Sequence, residues 1–324
     1  YDNIIRGAQG VYVGQGDNND VYDNSFFIDR ANGIHRYAIL YSSFVSGNLV
    51  HGGKIYGNTI RNTRGNGILL DSGVEGVEIY NNDIEVRDGG HEEQGWYAKA
   101  LWLRATGIAI LGGINIHNNK FTATSEDNYY GTGRNAVGVA TVILGSGLGA
   151  GSMAYGDILF HDNIVKAKTT HGTFGQDLAD DGFGIAVVNV DNTGNYKKIY
   201  NNIFESNHQI VVFGRSYGAS IRAIFTGNTF IKSTDALSEF STIWFGSNPV
   251  TENVLQDSIF QGGADLSNPH FEISANNKDV DISWTLTTLV TSGGNPVQNA
   301  NIEIKDINNN AVSSGITDDQ GKFT

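Results

Sequence analysis

The sequence predicts an all-β solenoid of parallel strands, followed by the opening of a small β-sandwich. Three observations carry this expectation. A six-residue unit, typified by Ile79-Tyr80-Asn81-Asn82-Asp83-Ile84, recurs along most of the chain. Short β-branched and aromatic runs, introduced by Gly or a polar turn, alternate with it. No amphipathic helical pattern of useful length intervenes, which argues against a doubly wound α/β fold or an α/β barrel.

The unit reads apolar, x, turn-former, Asn, x, apolar, which is a strand, a tight corner and a strand. Gly, Asn and Asp are the residues that tolerate the left-handed backbone such a corner needs. Further copies stand at Val21–Phe26, Ile55–Ile60, Ile116–Phe121, Phe160–Val165, Ile199–Phe204 and Phe225–Phe230. Weaker ones lie at Val45–Val50 and at Val254–Ile259, where Asp257 takes the Asn place. The Asn falls at 3, 24, 48, 58, 82, 119, 163, 202 and 228, giving spacings of 21, 24, 10, 24, 37, 44, 39 and 26, then 29 to Asp257. Most are repeat-length, and in repeat architectures each unit buries its apolar face only against its neighbours. The spacing of 10 excludes either Asn48 or Asn58. A fixed Asn at a fixed corner stacks on the Asn of the next coil, with side-chain amides bonding along the stack. Asn24, Asn58, Asn82, Asn119, Asn163, Asn202 and Asn228 are therefore expected to form a structural ladder.

A second kind of strand precedes each corner, as in Gly10–Val13, Gly67–Leu70, Ala100–Leu103, Gln209–Phe213 and Thr242–Phe245. Their partial alternation suits parallel strands buried on one or both faces. The loops grow toward the middle, at 86–99, 122–135, 144–157 and 166–183, and outgrown loops on one side of a solenoid commonly make its binding face. After Phe260 the repeat fades. Residues 262–280, rich in Asn, Asp and Ser with Pro269, read as a polar cover. Alternating strands from Asp279, a Gly294-Asn295-Pro296-Val297 turn and a Thr317–Phe323 hairpin then describe the sandwich. The chain opens inside a copy, at Tyr1-Asp2-Asn3-Ile4-Ile5, and stops inside that hairpin, so it is expected to be part of a longer protein. Its first edge is expected to be covered by more of the same chain or by a neighbouring protomer, and end-to-end stacking would propagate into a filament.

The 324 residues carry a formal charge of -13, which disfavours nucleic acid and anionic membranes as partners, since both reward clustered Lys and Arg. A strongly polyanionic substrate is disfavoured too unless basic residues focus in one cleft. Cys is absent, so neither a disulfide frame nor thiolate chemistry is available. No apolar run approaches the ~20 residues of a membrane span. No Asn-x-Ser/Thr sequon occurs, so standard N-linked glycosylation is not expected.

The Ile-x-Asn-Asn-x-Ile series resembles the right-handed parallel β-helix repeat of the pectate-lyase-like superfamily, over roughly residues 1–265. The tail, through Gly294-Asn295-Pro296-Val297, Ala300-Asn301-Ile302 and Thr317–Phe323, resembles a carboxypeptidase-regulatory-like, transthyretin-type sandwich. The resemblance implies a β-helix over 1–265, a cap or linker over 266–280 and a partial sandwich over 281–324. It also implies an extracellular or cell-surface setting. That superfamily holds polysaccharide lyases, polygalacturonases, epimerases, phage tailspikes and adhesins, so it leaves catalysis open.

Uronide lyases of the superfamily take the C5 proton with a basic residue, often with Ca²⁺ neutralising the carboxylate. Lys99, Arg104 and Arg215, at or beside predicted strand ends, are the candidates. Hydrolases instead need converging carboxylates, for which Asp71, Glu92, Glu93, Asp177, Asp180 and Asp181 are available. None falls within a family motif; His171-Gly172 and Asp180-Asp181 stand in the wrong order for the polygalacturonase signature. His91-Glu92-Glu93 lacks the spacing that holds zinc. Asp17-Asn18-Asn19-Asp20 could supply oxygens to Ca²⁺, the one cofactor considered, but lacks the distal Glu of a dedicated loop. Trp96, Tyr97, Tyr129 and Tyr130, with Glu92 and Glu93, make a candidate glycan-binding surface, aromatic rings offering an apolar face with a polar edge. Two readings follow: a non-catalytic surface, adhesive or filament-forming module whose partners are a polysaccharide or neighbouring protomers, and a polysaccharide-active enzyme working between the loops at 86–135 and 166–183.

Overall fold

A computed structural model describes residues 1–7, 10–28, 37–43, 49–62, 66–71, 73–89, 99–104, 112–126, 139–144, 157–169, 182–187, 197–214, 220–236, 240–246, 248–271 and 278–324. They form two compact units, Tyr1–Ile282 and Ser283–Thr324. The first is a parallel β-helix. Nine strands, from Ile4–Gly7 to Ile259–Gln261, leave the Asn corners and pair coil on coil in one sheet. Nine more, from Val11–Val13 to His270–Phe271, form a second sheet. The third sheet, of ten strands, enters the corners, beginning at Val21–Tyr22. No helix among the described residues is long and apolar enough to cross a membrane.

The corners follow from their residues. Asp23, Asn81, Asn118, Asp162, Asn201 and Asp257 all sit at φ between 52° and 55°, the left-handed region that Asn and Asp enter most readily after Gly. Gly57 takes the same place at φ 64°, where a Cβ would collide with the side chain of Asp23 one coil below.

One residue on, the ladder is continuous. The side-chain Nδ2 of Asn3 donates to Oδ1 of Asn24, and the same bond repeats through Asn58, Asn82, Asn119, Asn163, Asn202 and Asn228 at 2.9–3.2 Å. Each Oδ1 from Asn24 to Asn228 also accepts from the backbone N–H of the Asn below. Asn24 bonds directly to Asn58 across 34 residues, so Asn58 is the member and no rung intervenes between them; Asn48 lies outside the described residues. Asp257 does not hold the Asn place. It is the left-handed corner residue, and because Thr229 pairs with Ile259, Ser258 stands opposite Asn228. Its shorter hydroxyl is buried and makes no hydrogen bond, and the ladder stops there.

Inside, apolar side chains stack on their own kind. Phe121, Phe160, Phe204, Phe230 and Phe260 follow one another at ring-centroid distances of 5.5–6.3 Å, beside columns such as Ile55, Ile79 and Ile116. Truncating one such Phe to Ala is worth about 3–5 kcal/mol in a core of this kind. The solenoid unit also runs past 265. His270–Phe271 extends the second sheet beyond Trp244 and Phe245, and Lys278–Ser283 pairs with Val250–Gln256.

The second unit is antiparallel throughout. Thr288–Leu289 pairs with Lys322–Phe323, Thr291–Ser292 with Asn295–Pro296, and Asn301–Lys305 with Ala311–Ile316. Asp306 and Asp318 close its turns by accepting backbone N–H bonds from residues two and four positions on. Trp284, Leu286, Leu289, Val312 and Ile316 remain exposed.

Candidate functional site

Two of the basic candidates come together on the second sheet. Leu69 pairs with Trp102 and Leu70 with Leu103, and the Arg104 N–H donates to the Leu70 carbonyl at 2.8 Å. That register sets Arg104 one coil above Asp71, which ends the strand below. The Arg104 Nε donates to Asp71 Oδ2 at 3.1 Å and its Nη2 approaches the same oxygen still more closely. Asp71 is fully buried. Lys99, 3 % exposed, places its Nζ 4.4 Å from the centre of the Trp102 ring, and the Arg104 Cζ lies 4.8 Å from it. Cations are held on an aromatic face by its negative quadrupole, more firmly when water is excluded. Tyr37, aligned with Asn66 and Lys99 in the register, has its phenol raised above the usual range, first by burial and slightly by Asp71, against the opposing effect of Arg104.

The remaining candidates, Arg215, Asp180, Asp181, Glu92, Glu93, Trp96, Tyr97, Tyr129 and Tyr130, lie outside the described residues, as do His91, His171 and Asp177. The strands that lead toward them are described. In the coils bearing the outgrown loops, the strands leaving the corner lengthen to seven residues at Asp83–Gly89 and Lys120–Glu126 and six at Ile164–Thr169, against four at Ser25–Ile28 and Ile203–Ser206. Gly89 pairs with Glu126 and Ser125 with Thr169, so these strand ends line up along one sheet edge. In the Asp17–Asp20 stretch, Asp20 Oδ1 accepts the backbone N–H of Lys54 at 2.8 Å, and Asn18 turns through the left-handed region. Among the described residues no three His, Asp or Glu side chains converge as a metal nest.

A second line of side chains was not anticipated. Tyr1, Tyr22, Tyr56, Tyr80, His117, His161 and Tyr200 stack ring on ring up the outside of the corner, with centroids 4.6–5.2 Å apart and planes within 9°. Each from Tyr22 onward stands two residues before a ladder Asn, at the x of the repeating unit; that column of Tyr and His is the signal that could have found it. Glu78 accepts from His117 Nε2 at 3.1 Å and pairs with Lys54 at 3.3 Å, and these partners, His117 first, hold its carboxyl below the usual range against a smaller opposing effect of burial. His161 Nδ1 donates to Asp162 at 2.7 Å.

With this geometry the chain stands as a parallel β-helix protein. No family model and no curated protein matches the sequence. Among solved structures, the alginate lyase from Paenibacillus sp. str. FPU-7 is similar at 11% identity and a TM-score of 0.29, over 86% of this chain and 98% of that one. The Dettilon tailspike protein (gp208) is similar at 10% identity and a TM-score of 0.31, over 94% of this chain and 67% of that one.

Proposed function

We propose that the chain is a non-catalytic β-helix module of an exported surface protein, with a structural, adhesive or glycan-binding role. The antiparallel unit behind it is then the start of an accessory β-sandwich. The observation that carries this reading is the enclosure of the two strand-end basic residues. A proton-abstracting base must come within reach of the substrate carbon. Lys99 is instead buried against Trp102, and Arg104 is closed on a buried carboxylate. Purified protein is expected to leave pectate and alginate intact, with or without Ca²⁺. Unsaturated uronide absorbance that disappears on Lys99→Ala or Arg215→Ala overturns the reading.

One observation favours a second reading. The long strands ending at Gly89, Glu126 and Thr169 finish in register on adjacent coils, the arrangement of strand ends from which a lyase, epimerase or glycoside hydrolase would build a cleft across the coils. The same assay separates the two.

A further inference from the structure

The outer line of rings has a property the inner ladder lacks: the polar ends of its tyrosines from Tyr22 onward are not used by the protein, whereas the nitrogens of His117 and His161 are bonded to Glu78, Asn118, Asp162 and Asn115. The hydroxyls of Tyr22, Tyr56, Tyr80 and Tyr200 make no hydrogen bond to a described residue, and none is sealed from water. Tyr56 is raised above the usual phenol range, first by desolvation within the stack, then by Tyr22 and Tyr80 on either side, and last by Asp20 and Asp23. Desolvation first and then Asp162 raise Tyr200 as well, so both hydroxyls remain protonated donors. Beside the rings runs a parallel row of exposed corner side chains, Asp23, Asn81, Asn118, Asp162 and Asn201. The surface therefore offers phenol edges at Tyr22, Tyr56, Tyr80 and Tyr200, with an amide or carboxylate beside each except Tyr56, where Gly57 takes the corner.

The ring faces are covered by one another, so the line presents edges that hydrogen-bond rather than apolar faces that stack. Its repeat is the coil rise of about 4.8 Å, and six steps extend about 30 Å. An extended pyranose chain advances by a closely similar distance per ring and carries hydroxyls that both donate and accept. The charges select among such chains. Asp2, Asp23 and Asp162 lie along the row, Lys54 is paired with Glu78, and the protein as a whole carries -13, which leaves Lys198 as the one nearby cation without an ion pair among the described residues. A polyuronate would meet like charge.

We propose that this outer line, with the corner side chains beside it, binds a neutral linear polysaccharide laid along the solenoid axis with one sugar ring per coil. The proposal rests on the glycan-binding form of the function above and gives it a face at the corner, the opposite end of the leaving strands from Gly89, Glu126 and Thr169.

Calorimetric titration of the full chain with cello-, manno- and N-acetylchito-oligosaccharides of three and six rings tests it, with hexagalacturonate as the charged comparator. At least one neutral hexasaccharide is expected to bind, roughly tenfold or more tighter than its trisaccharide, about 1.4 kcal/mol. The Tyr22→Phe/Tyr56→Phe/Tyr80→Phe variant keeps every ring and removes only hydroxyls. It is expected to weaken binding by a similar factor with an unchanged melting temperature. The proposal is overturned if no neutral hexasaccharide binds, if hexagalacturonate binds tighter, if length makes no difference, or if the hydroxyl-free variant binds as the parent does. Uronide cleavage would instead sink the non-catalytic reading, so the two failures are told apart.

Discussion

Two lines of side chains climb the solenoid two residues apart in the coils from Asn3 to Asn202, and they follow different rules. The inner line is Asn in every coil from Asn3 to Asn228, with the members from Asn24 onward at most 4 % exposed. The outer line alternates freely between Tyr and His and stands half in solvent. The inner residue must donate and accept at fixed points in a place without water, and only a primary amide of that length does both. The outer residue needs only a flat ring at the right height, because solvent satisfies the phenol edges and nearby side chains satisfy the imidazoles of His117 and His161. Burial with directional bonding fixes an identity, whereas exposure with stacking fixes a shape.

The sharpest way to break this comparison is Asn119→Ala. It strands the backbone N–H of Asn82, and it takes one bond each from the Asn82 Nδ2, which keeps the Ile55 and Tyr80 carbonyls, and from the Asn163 Oδ1, which keeps the N–H of residue 119. With about 1–3 kcal/mol for the one buried group left unpaired and about 1 kcal/mol for each further bond lost, a loss on the order of 3 kcal/mol is expected in denaturant unfolding. Hydrogen exchange should show it centred on the coils of Asn82 and Asn163. A loss below about 1 kcal/mol would mean that the ladder is decoration.

The outer line should respond less. Tyr80→Ala removes two ring contacts, with Tyr56 and His117, and is expected to cost about 1–2 kcal/mol. Smaller still, His161→Tyr, which swaps one permitted ring for the other and gives up the bonds to Asp162 and Asn115, should stay within about 1 kcal/mol. A penalty for the swap as large as that for truncation would show that the outer line, too, demands identity.

The smallest effect is a pH dependence. Glu78 is held below the usual range in the folded state, so its contribution is complete above about pH 4.5 and is lost as pH falls through the lowered value. Glu78→Gln is expected to flatten that acid limb in melts run from pH 6 to about pH 3, leaving the neutral-pH stability nearly unchanged. An unchanged acid limb would detach Glu78 from the line.

The inner line was legible because its corner and its Asn travel together in the sequence. Spacing alone left Asn48 against Asn58 open, and it put Asp257 one residue out of place, since a left-handed corner residue and a ladder residue are both Asx-like. The outer line sat in plain view at an unassigned position of the unit. Its meaning depends on coil-to-coil register, which a single copy does not carry. Lys99 and Arg104 were placed at a strand end, but their surroundings were not foreseen. Aligning Ile68-Leu69-Leu70-Asp71 with Leu101-Trp102-Leu103-Arg104 would have put the carboxylate beside the guanidinium, because parallel strands one coil apart read in step. The loop candidates have no repeat to anchor them, so the sequence offers residue types there without positions.

Consecutive rungs of the inner ladder are separated by 21, 34, 24, 37, 44, 39 and 26 residues, yet the bond between them varies by only a few tenths of an ångström. Each corner thus restarts the count. An insertion between two corners shifts nothing beyond the next rung, much as punctuation confines a misprint to its own clause. A gene for such a protein can lengthen one loop at a time, trial after trial, without retuning the turns on either side.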